Sequence, residues 1–229
     1  LLRELGMHSF IETGARFLLD PWQKHEPTLM TADPAGRARR VALLRHAIDV
    51  AERLQSDGVS FWSGVVRDGA GDEELLERLA GGLREVVEYA VQRGVTLGFE
   101  PEPGMFIDTI ASYERLLRWV DSPSLLLTLD VGHLYCQGEV PIADYIHRCG
   151  PRIVNVHIED MKAGVHEHLM FGEGEMDFPP ILRSLRDTGY RGALHVELSR
   201  HSHVGPDAAR RAYDFLAPKL ERLTAGDEP

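Results

Sequence analysis

The stretch LLLTLDVGH (residues 125–133) is an apolar run that ends on a charge, and it decides the fold class. Its apolar residues are continuous rather than alternating, as a strand covered on both faces requires. Five further runs of this kind recur: HSFIET (8–13), GVSFWSG (58–64), VTLGFEP (95–101), IVNVHIED (153–160) and ALHVELS (193–199). Between them lie longer stretches with helical periodicity. Residues 37–56 set Val41, Leu44, Ile48, Ala51 and Leu54 on one face, and 73–93 do the same with Leu76, Leu79, Leu83, Val86, Val87 and Ala90. Asp108 or Thr109 is suited to cap a helix through about Val120, which Asp121-Ser122-Pro123 stops. Shorter helices are expected near 140–149 and 179–188, with a last one at 206–221. The glycines of QRGV, RCGP and DTGY stand where a helix turns into the next strand.

Strands alternating with helices indicate a parallel sheet covered by helices, either doubly wound or closed as a (β/α)8 barrel. Strand ends favour the barrel: Glu12, Glu100, Asp130, His157 and Glu197 all close their runs on the carboxyl side, where barrels gather catalytic groups. No run is followed by a phosphate-cradling G-x-G-x-x-G or G-x-x-x-x-G-K-[ST], which the open nucleotide-binding sheet requires. The expectation is an α/β (β/α)8 TIM barrel forming one domain over 1–229. Its first two β/α units are expected to lie upstream of Leu1, and another segment or subunit of a homo-oligomer would then cover the exposed strand edges.

Composition bounds the function. The 229 residues are 43% hydrophobic and 27% charged, which is ordinary for a globular chain, so disorder is expected only in the TAGDEP tail. A formal charge of −11 argues against nucleic acid as partner. Cys136 and Cys149 lack metal spacing and are too few for a disulfide framework. No apolar run approaches the ~18 residues of a membrane span. A cytoplasmic protein is the expectation.

Glu100, Asp130, His157 and Glu197 offer three carboxylates and an imidazole, a donor set for Mn2+, Mg2+, Co2+, Fe2+ or Zn2+. Converging without a cation, the carboxylates would repel one another. The loop ETGARFLLDPWQKHEPTL (12–29) carries Arg16, Lys24 and His25, suited to a phosphate or carboxylate of a substrate. Trp62 can wall a sugar face, and Glu102 competes with Glu100 for the ligand role. In AGVHEHLMFGEGEMDF (163–178), alternation puts His166 and His168 on one side of an extended segment.

In order, these pieces resemble the xylose isomerase-like barrels, and within them the small sugar isomerases and epimerases whose distant cousin is endonuclease IV. VTLGFEPEPG is similar to the family's strand ending in Glu with a Gly four residues on. LTLDVGH is similar to its Asp-x-x-His strand, and IVNVHIED to its His-x-x-Asp strand. FGEGEMDF…ILRSLRDTGYRGALHVEL is similar to its last turn, helix and Glu-bearing strand. The resemblance implies one divalent metal on Glu100, Asp130, His157 and Glu197. It also implies a sugar or polyol isomerase or epimerase in which Glu100 and Glu197 exchange a proton with carbon. A dehydration begins with the same proton abstraction. His133 would contact a substrate oxygen, as would His168, with His166 facing solvent. In the endonuclease relatives, residues matching His133, His166 and His168 hold a further metal, which implies a di-metal hydrolase, phosphodiesterase or redox alternative. Their other extra site meets Glu12 and Trp62 here rather than histidines. A metabolite-binding barrel without turnover is the third reading. Glu159 stands where relatives often carry lysine, which weighs against a sugar phosphate.

Overall fold

The computed structural model describes residues 2 and 4–225, with side chains as far as residue 223. Of the TAGDEP tail, expected to be disordered, residues 224–225 are helical and 226–229 lie outside the described residues. Two compact units divide the chain between Thr128 and Leu129.

The first unit alternates strand and helix: β1 (Phe10–Glu12), α1 (Pro34–Leu54), β2 (Gly58–Phe61), α2 (Asp72–Arg93), β3 (Leu97–Phe99), α3 (Ile110–Val120) and most of β4 (Leu125–Asp130). Its strands pair in parallel in chain order, with Ile11 opposite Val59, Val59 opposite Leu97 and Leu97 opposite Leu125. The helical stripes pack where their spacing places them, with Leu44, Ile48 and Ala51 of α1 and Leu76, Leu79, Leu83 and Val86 of α2 buried, except that Leu54 at the last residue of α1 is exposed. Phe99 packs edge-on against Phe61 and stacks on Tyr113, whose hydroxyl donates to the Leu125 carbonyl at 3.0 Å.

Local chemistry sets the helix ends. Asp33 caps α1 by accepting from the N–H groups of Ala35 and Gly36, both at 3.0 Å. Thr109, rather than Asp108, caps α3, in a capping box with Ser112. Asp121 ends α3 in the left-handed conformation, φ 52°.

The second unit holds the end of β4, then α4 (Val131–Cys136), α5 (Ile142–Cys149), β5 (Ile153–Ile158), β6 (Asp160–Lys162), β7 (Val165–Leu169), α6 (Phe178–Asp187), β8 (Leu194–Val196) and α7 (Gly205–Ala225). β5 and β8 pair in parallel with His157 opposite His195, whereas β6 and β7 form an antiparallel hairpin. The run expected to continue to His133 breaks at Asp130, because the Asp130 carboxylate accepts from the His133 N–H at 2.9 Å and starts α4. VHEHL is extended, as its alternation implies. Asp160 fixes the turn after it, accepting from the N–H groups of Met161 (2.9 Å), Gly172 (2.8 Å) and Met176 (3.2 Å). A Cβ on Gly174 would fall 2.2 Å from the Asp160 carboxylate, so only glycine fits there.

Both cysteines are buried. Among the described residues, no helix is long and apolar enough to cross a membrane.

Candidate active site

The second unit gathers six of the candidate residues. Asp130 ends β4, His157 is the penultimate residue of β5, and Glu197 follows β8. The Glu197 N–H continues the ladder to the Ile158 carbonyl at 3.3 Å. Ligand atoms of Asp130, His157 and Glu197 lie within 4.8 Å of one another. His157 Nδ1 stands 3.1 Å from Glu197 Oε2, and His157 Nε2 stands 3.1 Å from the Asn155 amide nitrogen. Asp130 is buried, while the Glu197 side chain keeps 38% of its exposure, enough to meet a substrate.

Three imidazoles crowd beside this group. His166 Nε2 is 3.1 Å from His133 Nε2 and 3.2 Å from His168 Nε2. His133 and His168 are buried and His166 is exposed. Burial lowers the His133 pKa to about 4, and burial followed by the neighbouring His168 lowers that of His166. His133 and His166 are therefore neutral at pH 7, and each presents a nitrogen lone pair.

The carboxylates divide in the opposite sense. Burial works to raise Asp130, but His133 and His157 beside it outweigh burial and hold it at about 2. Burial, reinforced by the Asp130 charge, pushes Glu159 well above the usual carboxylate range. Burial also works to raise Glu197, but the hydrogen bond from His157 prevails and holds it low.

Among the described residues, Asp130 Oδ2, both Glu159 carboxylate oxygens and His168 Nδ1 are buried without a hydrogen-bond partner. Buried acceptors left over in this way, beside an O,O,N donor set from three strand ends, suit a divalent cation.

The remaining candidates belong to the first unit. Glu100 follows β3, is buried, and donates its N–H to the Phe61 carbonyl at 2.9 Å. Glu102 is half-buried, with its N–H on the Ile107 carbonyl at 3.1 Å. Glu12 ends β1 exposed.

In the long loop, Arg16 and His25 close a ring: the Arg16 N–H donates to His25 Nδ1 at 2.9 Å, and both residues have positive φ. His25 meets Trp62 edge-on at 4.8 Å, and the Arg40 guanidinium lies 5.1 Å over the same ring. Trp62 is thus a half-buried wall with a cation on it, and Lys24 is exposed.

Sequence reasoning passed over Asn155 and undervalued Glu159. The signal was present: Asn155, His157 and Glu159 alternate along β5 and its end, and so share one face.

Comparison with known proteins agrees with this construction. The family model described as xylose isomerase-like TIM barrel matches residues 7–219. A putative L-ribulose-5-phosphate 3-epimerase of Shigella dysenteriae is 27% identical over 218 residues, covering 94% of this chain and 76% of its own. A solved D-tagatose 3-epimerase-like protein superposes with a TM-score of 0.83 at 23% identity, covering 98% of this chain and 81% of that one. A structure of the IolI protein with a bound zinc atom superposes with a TM-score of 0.74 at 18% identity, covering 96% and 91%. The chain belongs to the xylose isomerase-like TIM barrel family.

Proposed function

We propose that the chain is a divalent-metal-dependent epimerase or isomerase of a sugar or related polyol. The observation that carries this reading is the meeting of Asp130, His157 and Glu197 ligand atoms within 4.8 Å, from the ends of three strands. The sugar 3-epimerase named among its relatives supports it. Asp130, His157 and Glu197 would hold one cation, to which the family resemblance adds Glu100, and that cation would supply charge stabilisation for the oxyanion that develops beside a carbonyl. Glu197, partly exposed and oriented by His157, takes the proton from carbon. An enediolate would form, and in the scheme the resemblance implies Glu100 would return a proton to the other face of the carbon and invert the centre. His133 and His168 hold substrate hydroxyls. In the first unit, Trp62 and His25 would offer a wall for a sugar face, with Arg16, Lys24 and Glu102 as further candidates.

Metal content tests the reading. Wild type is expected to hold about one tightly bound divalent ion at this set, lost in Asp130→Ala, and stripping by chelator is expected to abolish proton exchange. Undiminished metal in Asp130→Ala removes the ligand set.

A second reading rests on the close approach of the three Nε2 atoms. Three imidazoles with an open position can hold a transition metal, and two ions would favour hydrolytic or redox chemistry. Loss of one bound ion in His166→Asn supports that reading, and an unchanged count rejects it.

A further inference from the structure

Glu159 lies outside the ligand set proposed above, yet its carboxyl group is as fully enclosed as that of Asp130. Its side chain is fully buried. Gly132 makes room for it, since a Cβ there would stand 1.9 Å from Glu159 Oε1. The groups beside it are also acceptors: Asp130 Oδ2 and His168 Nδ1, the latter 3.9 Å from Glu159 Oε1 and beyond hydrogen-bond reach. His133 Nε2 stands 3.4 Å from Asp130 Oδ2 without forming a hydrogen bond to it. Ligand atoms of Asp130, Glu159 and His168 lie within 4.8 Å of one another, and all three residues are buried. The group cannot satisfy itself: ionised carboxylates donate nothing, a neutral imidazole has a single proton, and one proton on Glu159 would serve only one of the remaining acceptors. The pocket calls for positive charge.

We propose that Asp130, Glu159 and His168 form a second divalent-cation site, in which His168 binds through Nδ1. With Nδ1 on the cation, the His168 proton sits on Nε2, where it donates to His166 Nε2 at 3.2 Å, so the substrate hydroxyl assigned above to His168 passes to His133 alone. His166 then orients a ligand and binds no metal itself. Asp130 belongs to both ligand sets, so its carboxylate bridges this ion and the one in the proposed epimerase centre, on which the inference rests. Asp130 Oδ1 keeps its helix-capping bond to the His133 N–H.

The test is a Mn2+ titration of the chelator-stripped full chain, followed by the electron paramagnetic resonance signal of free Mn2+. The low-temperature spectrum reports exchange coupling. Two Mn2+ per wild-type chain, coupled through the shared carboxylate, are expected. Glu159→Gln is expected to bind one, uncoupled, and His166→Asn to bind two. A wild type that binds a single Mn2+ overturns the inference and leaves the epimerase reading standing, with Glu159 sharing a proton with Asp130 instead. A wild type that binds none overturns both. Two ions in Glu159→Gln with one in His166→Asn moves the second ion to the three imidazoles and overturns the site proposed here.

Discussion

Gly132→Ala sets two effects of known sign against each other. Gly132 lies in α4, where alanine is favoured over glycine by up to about 1 kcal/mol. The new methyl, however, would stand 1.9 Å from Glu159 Oε1, 2.7 Å from Met161 Cε and 3.1 Å from Glu159 Cδ. The methionine end is flexible and gives way at small cost. The Glu159 carboxylate is enclosed and must move by more than 1 Å to reach van der Waals distance. Forcing atoms into a filled interior costs about 1–3 kcal/mol. The clash wins, and a net loss of about 1–2 kcal/mol is expected, or roughly 2–8 °C in Tm for a chain of this size. Thermal and urea unfolding of Gly132→Ala, Glu159→Ala and the double variant measure it. In the double variant the carboxylate is gone, so the alanine at 132 is expected to become neutral or stabilising and the two effects to be non-additive. A Gly132→Ala chain more stable than wild type, or a penalty that persists in the double variant, refutes the placement of Glu159 against α4.

Three further outcomes are expected. Glu197→Gln and Glu100→Gln keep the wild-type fold by circular dichroism and lose about 10²–10⁴-fold in proton exchange, because an amide cannot act as a base. Wild-type turnover in either variant contradicts the two-glutamate scheme. Asp33→Ala removes the cap of α1 and lowers stability by about 1 kcal/mol, read as the midpoint of urea unfolding. The pKa of His25 is lowered to about 4 by burial and then by Lys24, Arg40 and Arg16. Between pH 4 and about 6.5 the unfolded chain therefore binds the proton that the folded chain refuses. Stability falls as pH drops from 7 to 5, and His25→Asn, which tolerates the positive φ, flattens that slope.

Periodicity and strand-end chemistry made much of this legible from sequence. All six apolar runs contain a strand, and five of them carry an ionisable group at or beside the strand end: Glu12, Glu100, Asp130, His157 and Glu197. What escaped was short or polar. α4 spans six residues, too few for a helical period to declare itself, and its start depends on one hydrogen bond from His133 to Asp130. The β6–β7 hairpin carries few apolar residues, and the Asp160 contacts that close the turn after it join residues up to 16 positions apart. Glu159 looked like an ordinary strand-end glutamate. Only the packing of Gly132 and the neighbouring acceptors distinguishes it from a solvated one. Convergence of His166 with His133 and His168 needed VHEHL to fold back as a strand, a tertiary fact that alternation permits but does not impose.

The most direct test of the central claim is proton exchange at carbon. The metal-loaded chain is incubated in D2O with a panel of ketoses and their phosphates, and deuterium is followed by NMR. The account predicts deuterium at the carbon beside the carbonyl together with the inverted epimer, abolished by chelation and by Glu197→Gln. Exchange that persists without metal, or no exchange with any ketose in the panel, contradicts it.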